Sequence, residues 1–170
     1  MRTTCFLFLL CYLSDTSAVN NKEGRDYIEI NPLQPPDFEP VRVNGRVYRK
    51  FKKYSCTVFE DAKYTQTLLR GEEGWSFPRQ DVNLTLAYPS AAHVDSDLRI
   101  EKDYIITGYE VILVTDGRGG RAYIQSGGMM QNTISLTFIS QNITTLAYQF
   151  WLYGAARTNV PAEFYNYIMC

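Results

Sequence analysis

Residues 105–154 contain four stretches in which apolar and polar side chains alternate, with short turns between them. The apolar positions are Ile106, Tyr109, Val111 and Leu113; Ala122 and Ile124; Ile134, Leu136 and Phe138; and Leu146, Tyr148, Phe150 and Leu152. Successive side chains of a strand point to opposite faces of its sheet, so a period of two predicts strands with one face in a core. Four such strands in succession predict an antiparallel meander in the C-terminal half of the chain.

Upstream residues predict further strands. Val41–Tyr48 is a predicted hairpin, because Asn44-Gly45 tolerates the positive φ angles of a type I′ turn. Apolar and polar residues alternate from Val82 to Tyr88, which predicts another strand. Gly71–Trp75, before this strand, is interpreted as a turn. Residues 28–30 are expected to form a short edge strand.

The predicted strands indicate one all-β domain. The meander turns are placed at Asp116–Gly120, at Gly127-Gly128 and at Asn142. A length of 170 residues gives no reason to expect a second domain. We therefore predict a single antiparallel β-sandwich or flattened barrel of about seven to ten strands over residues 41–170.

The N-terminal residues have the pattern of a targeting sequence followed by an arm. Residues 1–18 combine a basic start, the apolar run Cys5–Leu13 and small residues at Thr16-Ser17-Ala18. This pattern is typical of a secretory signal peptide, and the run is too short to span a membrane. Residues 19–40 are polar and proline-rich, which predicts an arm. We expect a secreted, extracellular protein without a membrane span.

In a secreted protein, the remaining cysteines and two sequons predict covalent modifications. Removal of residues 1–18 would leave Cys56 and Cys170, which predict one disulfide bond within the chain. An intermolecular bond and two free thiols are the alternatives. Asn83 and Asn142 each begin an N-x-Thr sequon, so both are predicted N-glycosylation sites.

A run of basic residues surrounds the predicted hairpin, and it contains no acidic residue. It consists of Arg42, Arg46, Arg49, Lys50, Lys52 and Lys53. One interpretation is a patch that binds an anionic partner such as an acidic polysaccharide or an anionic lipid. The other is a solvated hairpin face whose charge is balanced elsewhere. The net charge of −1 and the pI near 5.8 do not favour a nucleic-acid partner.

No arrangement of residues in the sequence predicts catalysis. His93 is the single histidine, and no G-x-S-x-G element accompanies it, so neither a hydrolase triad nor a zinc site is expected. The acidic residues Asp95, Asp97, Glu101 and Asp103 lack the EF-hand spacing, so no calcium site is expected. We therefore expect a non-enzymatic protein with no metal and no cofactor.

A set of glycines and alternating residues carries a family resemblance. It comprises Gly108-Tyr109, Gly119–Ile124, Gly127-Gly128, Ile134–Phe138 and Phe150–Gly154. This order resembles the insect family named after multiprotein bridging factor two, a transcription activator, with a family-like core over about residues 64–154. The family includes secreted response-to-pathogen proteins, and it has no catalytic residues to transfer to this chain.

The resemblance and the predicted signal peptide together imply a secreted insect protein that acts by binding. Induction by infection, or release in saliva or from the gut, would fit such a protein. One alternative is a transcription coactivator like the protein that names the family. Another is a β protein that binds a small ligand or a glycan. The partner is an unknown protein or glycan, and the sequence gives no oligomeric state.

Overall fold

The fold is built almost entirely from strands. The computed structural model describes residues 27–33, 39–89 and 103–166. In these residues no α-helix occurs, and three 3-10 turns lie at Ala62–Tyr64, Arg157–Asn159 and Ala162–Asn166. The predicted all-β class is confirmed. The eight described strands are β1 (Ile28–Ile30), β2 (Val41–Val43), β3 (Arg46–Tyr48), β4 (Lys52–Thr57), β5 (Gln66–Tyr88), β6 (Tyr104–Thr115), β7 (Arg121–Gly127) and β8 (Ile134–Ala156).

Strand β8 organises the main sheet. It pairs with β5 from Ile134 to Gly154 along one side. On its other side it pairs with β7 through residues 134–139 and with β6 through residues 146–156. Strand β1 adds to β7, and β4 adds to β6. The result is one antiparallel sheet of six strands, and the hairpin β2–β3 forms a second, two-stranded sheet.

The predicted meander is wrong in its connections. Residues 134–139 and 145–154 belong to one continuous strand, and β6 and β7 pair with β8 rather than with each other. Asn142 has a left-handed backbone conformation, with a φ of 55°, yet it does not end the strand. Its N–H donates to Asp81 Oδ1 at 2.8 Å, and its carbonyl oxygen accepts from Arg79 Nη1 at 3.0 Å. Because side chains of β5 make hydrogen bonds with the backbone of Asn142, strand β8 bends there and continues.

The turn predicted at Gly71–Trp75 is also wrong. These residues lie inside β5 and pair in register with β8, from Gly71 opposite Phe150 to Trp75 opposite Leu146. The Trp75 ring stacks on Tyr148, with ring centroids 5.9 Å apart. Contacts made by a distant strand therefore override the local preference of the two glycines for a turn.

The sheet curls so that its two halves face each other across one core. The Tyr54 ring, from β4 beside β6, meets the Phe138 ring, from the half of β8 beside β7, at 5.1 Å between centroids. The N–H of Leu33, just after β1, donates to the Lys53 carbonyl oxygen of β4 at 2.7 Å. This bond links the outer strands of the two halves, as expected of a flattened barrel.

The predicted alternation identifies the core correctly. All thirteen apolar positions named for the four C-terminal stretches lie in the main cluster of buried residues. Val82, Leu84 and Leu86 of β5 join them, and so does Ile30 of β1. The predicted edge strand at residues 28–30 is thus present, and it lies within the segment predicted as an arm.

The hairpin covers part of the outer face of the sheet. Asn44 and Gly45 have φ angles of 48° and 78°, and the pair Val43–Arg46 closes a two-residue turn, so the predicted hairpin turn is confirmed. Val43 is fully buried and packs with Val114 and Ala147. The second half of β8 is therefore buried on both faces where the hairpin lies. No helix long and apolar enough to cross a membrane occurs among the described residues.

Alkaline pH is expected to destabilise the fold through Tyr109. Burial raises the pKa of this phenol to about 12 from its ordinary value of 10.0. The neutral phenol therefore stabilises the folded state fully below pH 10, and this contribution is lost between pH 10 and pH 12. The loss amounts to about 3 kcal/mol at the upper end. Urea unfolding from pH 8 to pH 11.5 measures it. Tyr109→Phe should decline less steeply than the unchanged protein, and parallel curves would contradict the assignment.

Candidate functional site

A groove lies between the turn of the hairpin and the outer face of β5 and β8. Its volume is about 350 Å³. Ser76 of β5 stands opposite Thr145 of β8 in the ladder, and both line the groove. The full set of lining residues is Asn44, Arg46, Tyr48, Gly74, Trp75, Ser76 and Thr145.

Buried contacts on the outer face fix the hairpin above this groove. Beyond the packing of Val43, the side-chain amide of Gln149 donates to the Arg42 carbonyl oxygen at 2.6 Å. The same amide nitrogen donates to Glu72 Oε2 at 2.8 Å. Gln149 is only 9% exposed, so these bonds satisfy a polar group that would be costly to leave unpaired. The hairpin is thus tied to β8 and β5 by both apolar and polar contacts.

The structure divides the six predicted basic residues into two groups. Four of them are exposed on the hairpin or directly after it: Arg42, Arg46, Arg49 and Lys50. Lys52 and Lys53 are half-buried neighbours on β4, so they point to opposite faces of the sheet. Lys53 Nζ pairs with Glu110 Oε2 at 2.9 Å. In the described part of the chain no carboxylate forms an ion pair with the other five. Binding of an anionic partner by this patch stays a prediction.

Both predicted glycosylation sites have exposed asparagines. Asn83 lies on the outward face of β5, between the buried Val82 and Leu84. Asn142 lies at the bend of β8, and Thr144 of the same sequon donates its hydroxyl hydrogen to Asp116 Oδ2 at 2.7 Å. Exposure is what a glycan needs, and the attachment itself stays a prediction.

Asp116 stabilises the backbone of β8 just after its bend. Its Oδ1 accepts from the N–H groups of Thr144 and Thr145 at 2.9 and 3.1 Å, in addition to the Thr144 hydroxyl on Oδ2. The hydrogen bond from the Thr144 side chain, followed by those from the backbone, lowers the pKa of this carboxyl to about 2 from 3.8. The glycine-rich loop that begins at Asp116 is therefore anchored to the strand that lines the groove.

Acid is expected to weaken this anchor. A carboxyl whose pKa is lowered in the folded state contributes stability above its unfolded pKa, and this contribution is lost as pH falls from about 4 to about 2. Asp116→Asn should lower the Tm at pH 7 and flatten the acid limb of the Tm profile between pH 4 and pH 2. Glu163→Gln, at an exposed carboxylate, controls for the loss of one charge. Equal acid limbs in both variants would contradict this role.

Several predicted residues fall outside the described part of the chain. Cys56 is buried on β4, but Cys170 is not described, so the predicted bond between them stays a prediction. His93 and the acidic residues 95–101 are also outside it. Among the described residues, no group of three or more His, Cys, Asp or Glu side chains could hold a metal ion.

Sequence reasoning found the cationic wall of the groove and missed the rest. The hairpin charges pointed to Arg46, but Trp75 was assigned to a turn, and Ser76 and Thr145 were not singled out. Their common site depends on the packing of the hairpin on β5 and β8, which is a contact between distant segments. The one available signal was Trp75, a large aromatic residue placed beside two glycines in a predicted turn.

Comparison with known families gives one match. The model of a family described as "Transcription activator MBF2" matches residues 62–154, which is more than half of the chain. The matched region takes in β5, β6, β7 and nearly all of β8. Searches of curated proteins and of solved structures returned no match.

Proposed function

Because this chain belongs to the transcription activator MBF2 family, we propose that it acts by binding a protein partner rather than by catalysing a reaction. The family description is the observation that carries the proposal, since an activator works through contacts with other proteins. The matched residues 62–154 form a long ribbon of β5 paired with β8, together with β6 and β7, which pair with β8. Within the family, the shared part is thus a scaffold, on which other segments can present a binding surface.

The edge at β1 is the surface that best suits a protein partner. Among the described strands, β1 forms a ladder with β7 alone, so its other edge pairs with no described strand before Leu33, just after β1, bonds to Lys53 of β4. Among the residues that the structure describes, three of the four exposed large apolar side chains lie on or beside it: Tyr27 at 47%, Ile28 at 48% and Leu33 at 44%. Exposed apolar side chains next to an open strand edge are typical of sites where a partner adds a strand.

Partner capture with matched variants tests this proposal. Tagged full-length protein is recovered from producing cells and from their medium, and co-purifying proteins are quantified against a tag-only control. We expect a partner that is enriched with the unchanged protein and reduced on the order of tenfold by Ile28→Lys. Val47→Lys is the control, because Val47 is also exposed, at 57%, but lies on the hairpin. No enriched protein, or equal enrichment with Ile28→Lys, would refute binding at β1.

Two places of action are supported by different observations. The family description favours a transcription coactivator, whereas the signal-like residues 1–18 favour a secreted protein that binds its partner outside the cell. Expression of the full-length chain with a C-terminal tag separates the two. Secretion predicts protein in the medium with a new N-terminus at Val19. Coactivation predicts nuclear protein with its N-terminus intact and activation of a reporter gene when it is tethered to the promoter.

A further inference from the structure

The groove beneath the hairpin brings aromatic, hydroxyl and cationic groups into one small space. Its volume of about 350 Å³ is at the low end of the range for small-molecule sites, which is roughly 300–1,000 Å³. Sites of this kind combine apolar walls with a few polar groups that set the orientation of the ligand. The lining of the groove therefore defines the chemistry of the ligand that fits.

One aromatic side chain forms part of the wall. Tyr48 is half-buried, and it packs with the small cluster around Val43. Trp75 also borders the groove, but its ring lies on the core face of β5, against Tyr148. A ring that is fixed by packing offers a large contact area at little cost in conformational entropy. Tyr48 therefore suits a ligand that has an apolar face as well as polar groups.

The polar lining suits a ligand with several hydroxyl groups. Ser76 and Thr145 stand opposite each other on β5 and β8, and Asn44 lies across from them on the hairpin turn. Hydroxyl groups both donate and accept hydrogen bonds, and an amide does the same through its two ends. A sugar ring presents hydroxyl groups around its edge and C–H groups on its faces, so it matches both parts of the lining.

The charge on the hairpin wall selects for an acidic ligand. Arg46 lines the groove, and Arg42, Arg49 and Lys50 are exposed on the same hairpin or directly after it. A guanidinium group binds a carboxylate or a sulfate through two parallel hydrogen bonds. Glu72 of β5 accepts a hydrogen bond from Gln149 Nε2 and is not among the residues that line the groove. We propose that this groove binds an acidic saccharide, with the acid group on Arg46 and the sugar ring against Tyr48.

This site goes beyond protein binding at β1, and it is tested separately. Isothermal titration of the full-length protein uses a heparin-derived hexasaccharide, an oligogalacturonate of the same length and neutral maltohexaose. The first two arms distinguish sulfate from carboxylate as the acid group. We expect binding of at least one acidic saccharide, weaker binding at higher salt, and no binding of maltohexaose. Arg46→Gln should weaken binding by on the order of tenfold.

Controls separate the groove from general surface charge. Arg121→Gln removes one positive charge from exposed β7, outside the groove lining, and should leave the affinity unchanged. Tyr48→Ala removes the ring from the groove wall and should weaken binding of the acidic saccharide by on the order of tenfold. Equal losses in Arg46→Gln and Arg121→Gln would overturn the proposal, as would a lack of binding to both acidic saccharides. Tighter binding of a single-stranded oligonucleotide would assign the groove to nucleic acid instead.

Discussion

Phe138→Ala is expected to lower the free energy of unfolding by about 3–5 kcal/mol, the usual range for truncating a buried phenylalanine. Phe138 is 1% exposed and lies between Leu84 of β5 and Ala122 of β7 in the ladders. Its ring makes an edge-to-face contact with the ring of Tyr54 from the other half of the sheet. Truncation removes buried apolar area and this aromatic contact together, and the two facing halves cannot fully close the space.

Chemical denaturation measures this loss. Val47→Ala is the matched control, because Val47 is a large apolar residue that is 57% exposed, and its truncation should change the stability by less than about 0.5 kcal/mol. A similar small change for Phe138→Ala would mean that the halves of the curled sheet do not pack against each other at this point.

Gly127→Ala is expected to destabilise the fold by about 3 kcal/mol or more, from backbone strain and overpacking together. Gly127 ends β7 with a φ of +67°, which side chains other than glycine rarely adopt. A Cβ atom at this position would lie 2.1 Å from the Thr133 carbonyl oxygen, which is backbone and cannot move away cheaply. The tight connection from β7 to β8 therefore requires glycine.

Gly119→Ala provides the comparison for this substitution. Gly119 lies in the loop after β6, and a Cβ atom there would meet nothing within 4 Å. We expect its stability in denaturation to stay within about 0.5 kcal/mol of the unchanged protein. If Gly127→Ala were equally mild, the connection would have to be looser than the structure shows.

The sequence predicted which residues are buried better than it predicted which strands are neighbours. Alternation depends on a local property of strands, so the core positions from Ile106 to Leu152 were identified correctly. The Asn44-Gly45 hairpin was also local, since its turn type follows from two residues. Pairing is not local, because a strand carries no information about which partner will satisfy its backbone.

The continuity of β8 shows why local signals failed. The polar residues at the bend resemble a turn when they are read alone, and Asn142 does adopt a positive φ. Arg79 and Asp81, about 60 positions earlier, supply the hydrogen bonds that let the strand continue. The groove was missed for the same reason, since Ser76 and Thr145 become neighbours only through the pairing of β5 with β8.

The family resemblance has an architectural basis in this structure. Gly127 of its glycine motif allows the Thr133 backbone to lie close by. Its alternating residues Ile134–Phe138 contribute apolar side chains to the core between the facing halves. The groove takes Asn44, Arg46 and Tyr48 from the hairpin, which lies outside the matched residues 62–154. The matched part of the chain is thus the ribbon of β5 and β8 with its neighbours, and the hairpin that lines the groove lies outside the match.

The central position of β8 also has a consequence for biosynthesis. Strands β5, β6 and β7 all leave the ribosome before β8, yet each of them pairs with β8. Gln66 of β5, for example, pairs with Gly154, close to the end of β8. Until β8 emerges, the nascent chain carries long unpaired strands with apolar faces, which are prone to aggregation. Contacts so distant in sequence are also slow to form. Production of this protein should therefore depend on chaperones that hold the nascent chain until its last long strand is available.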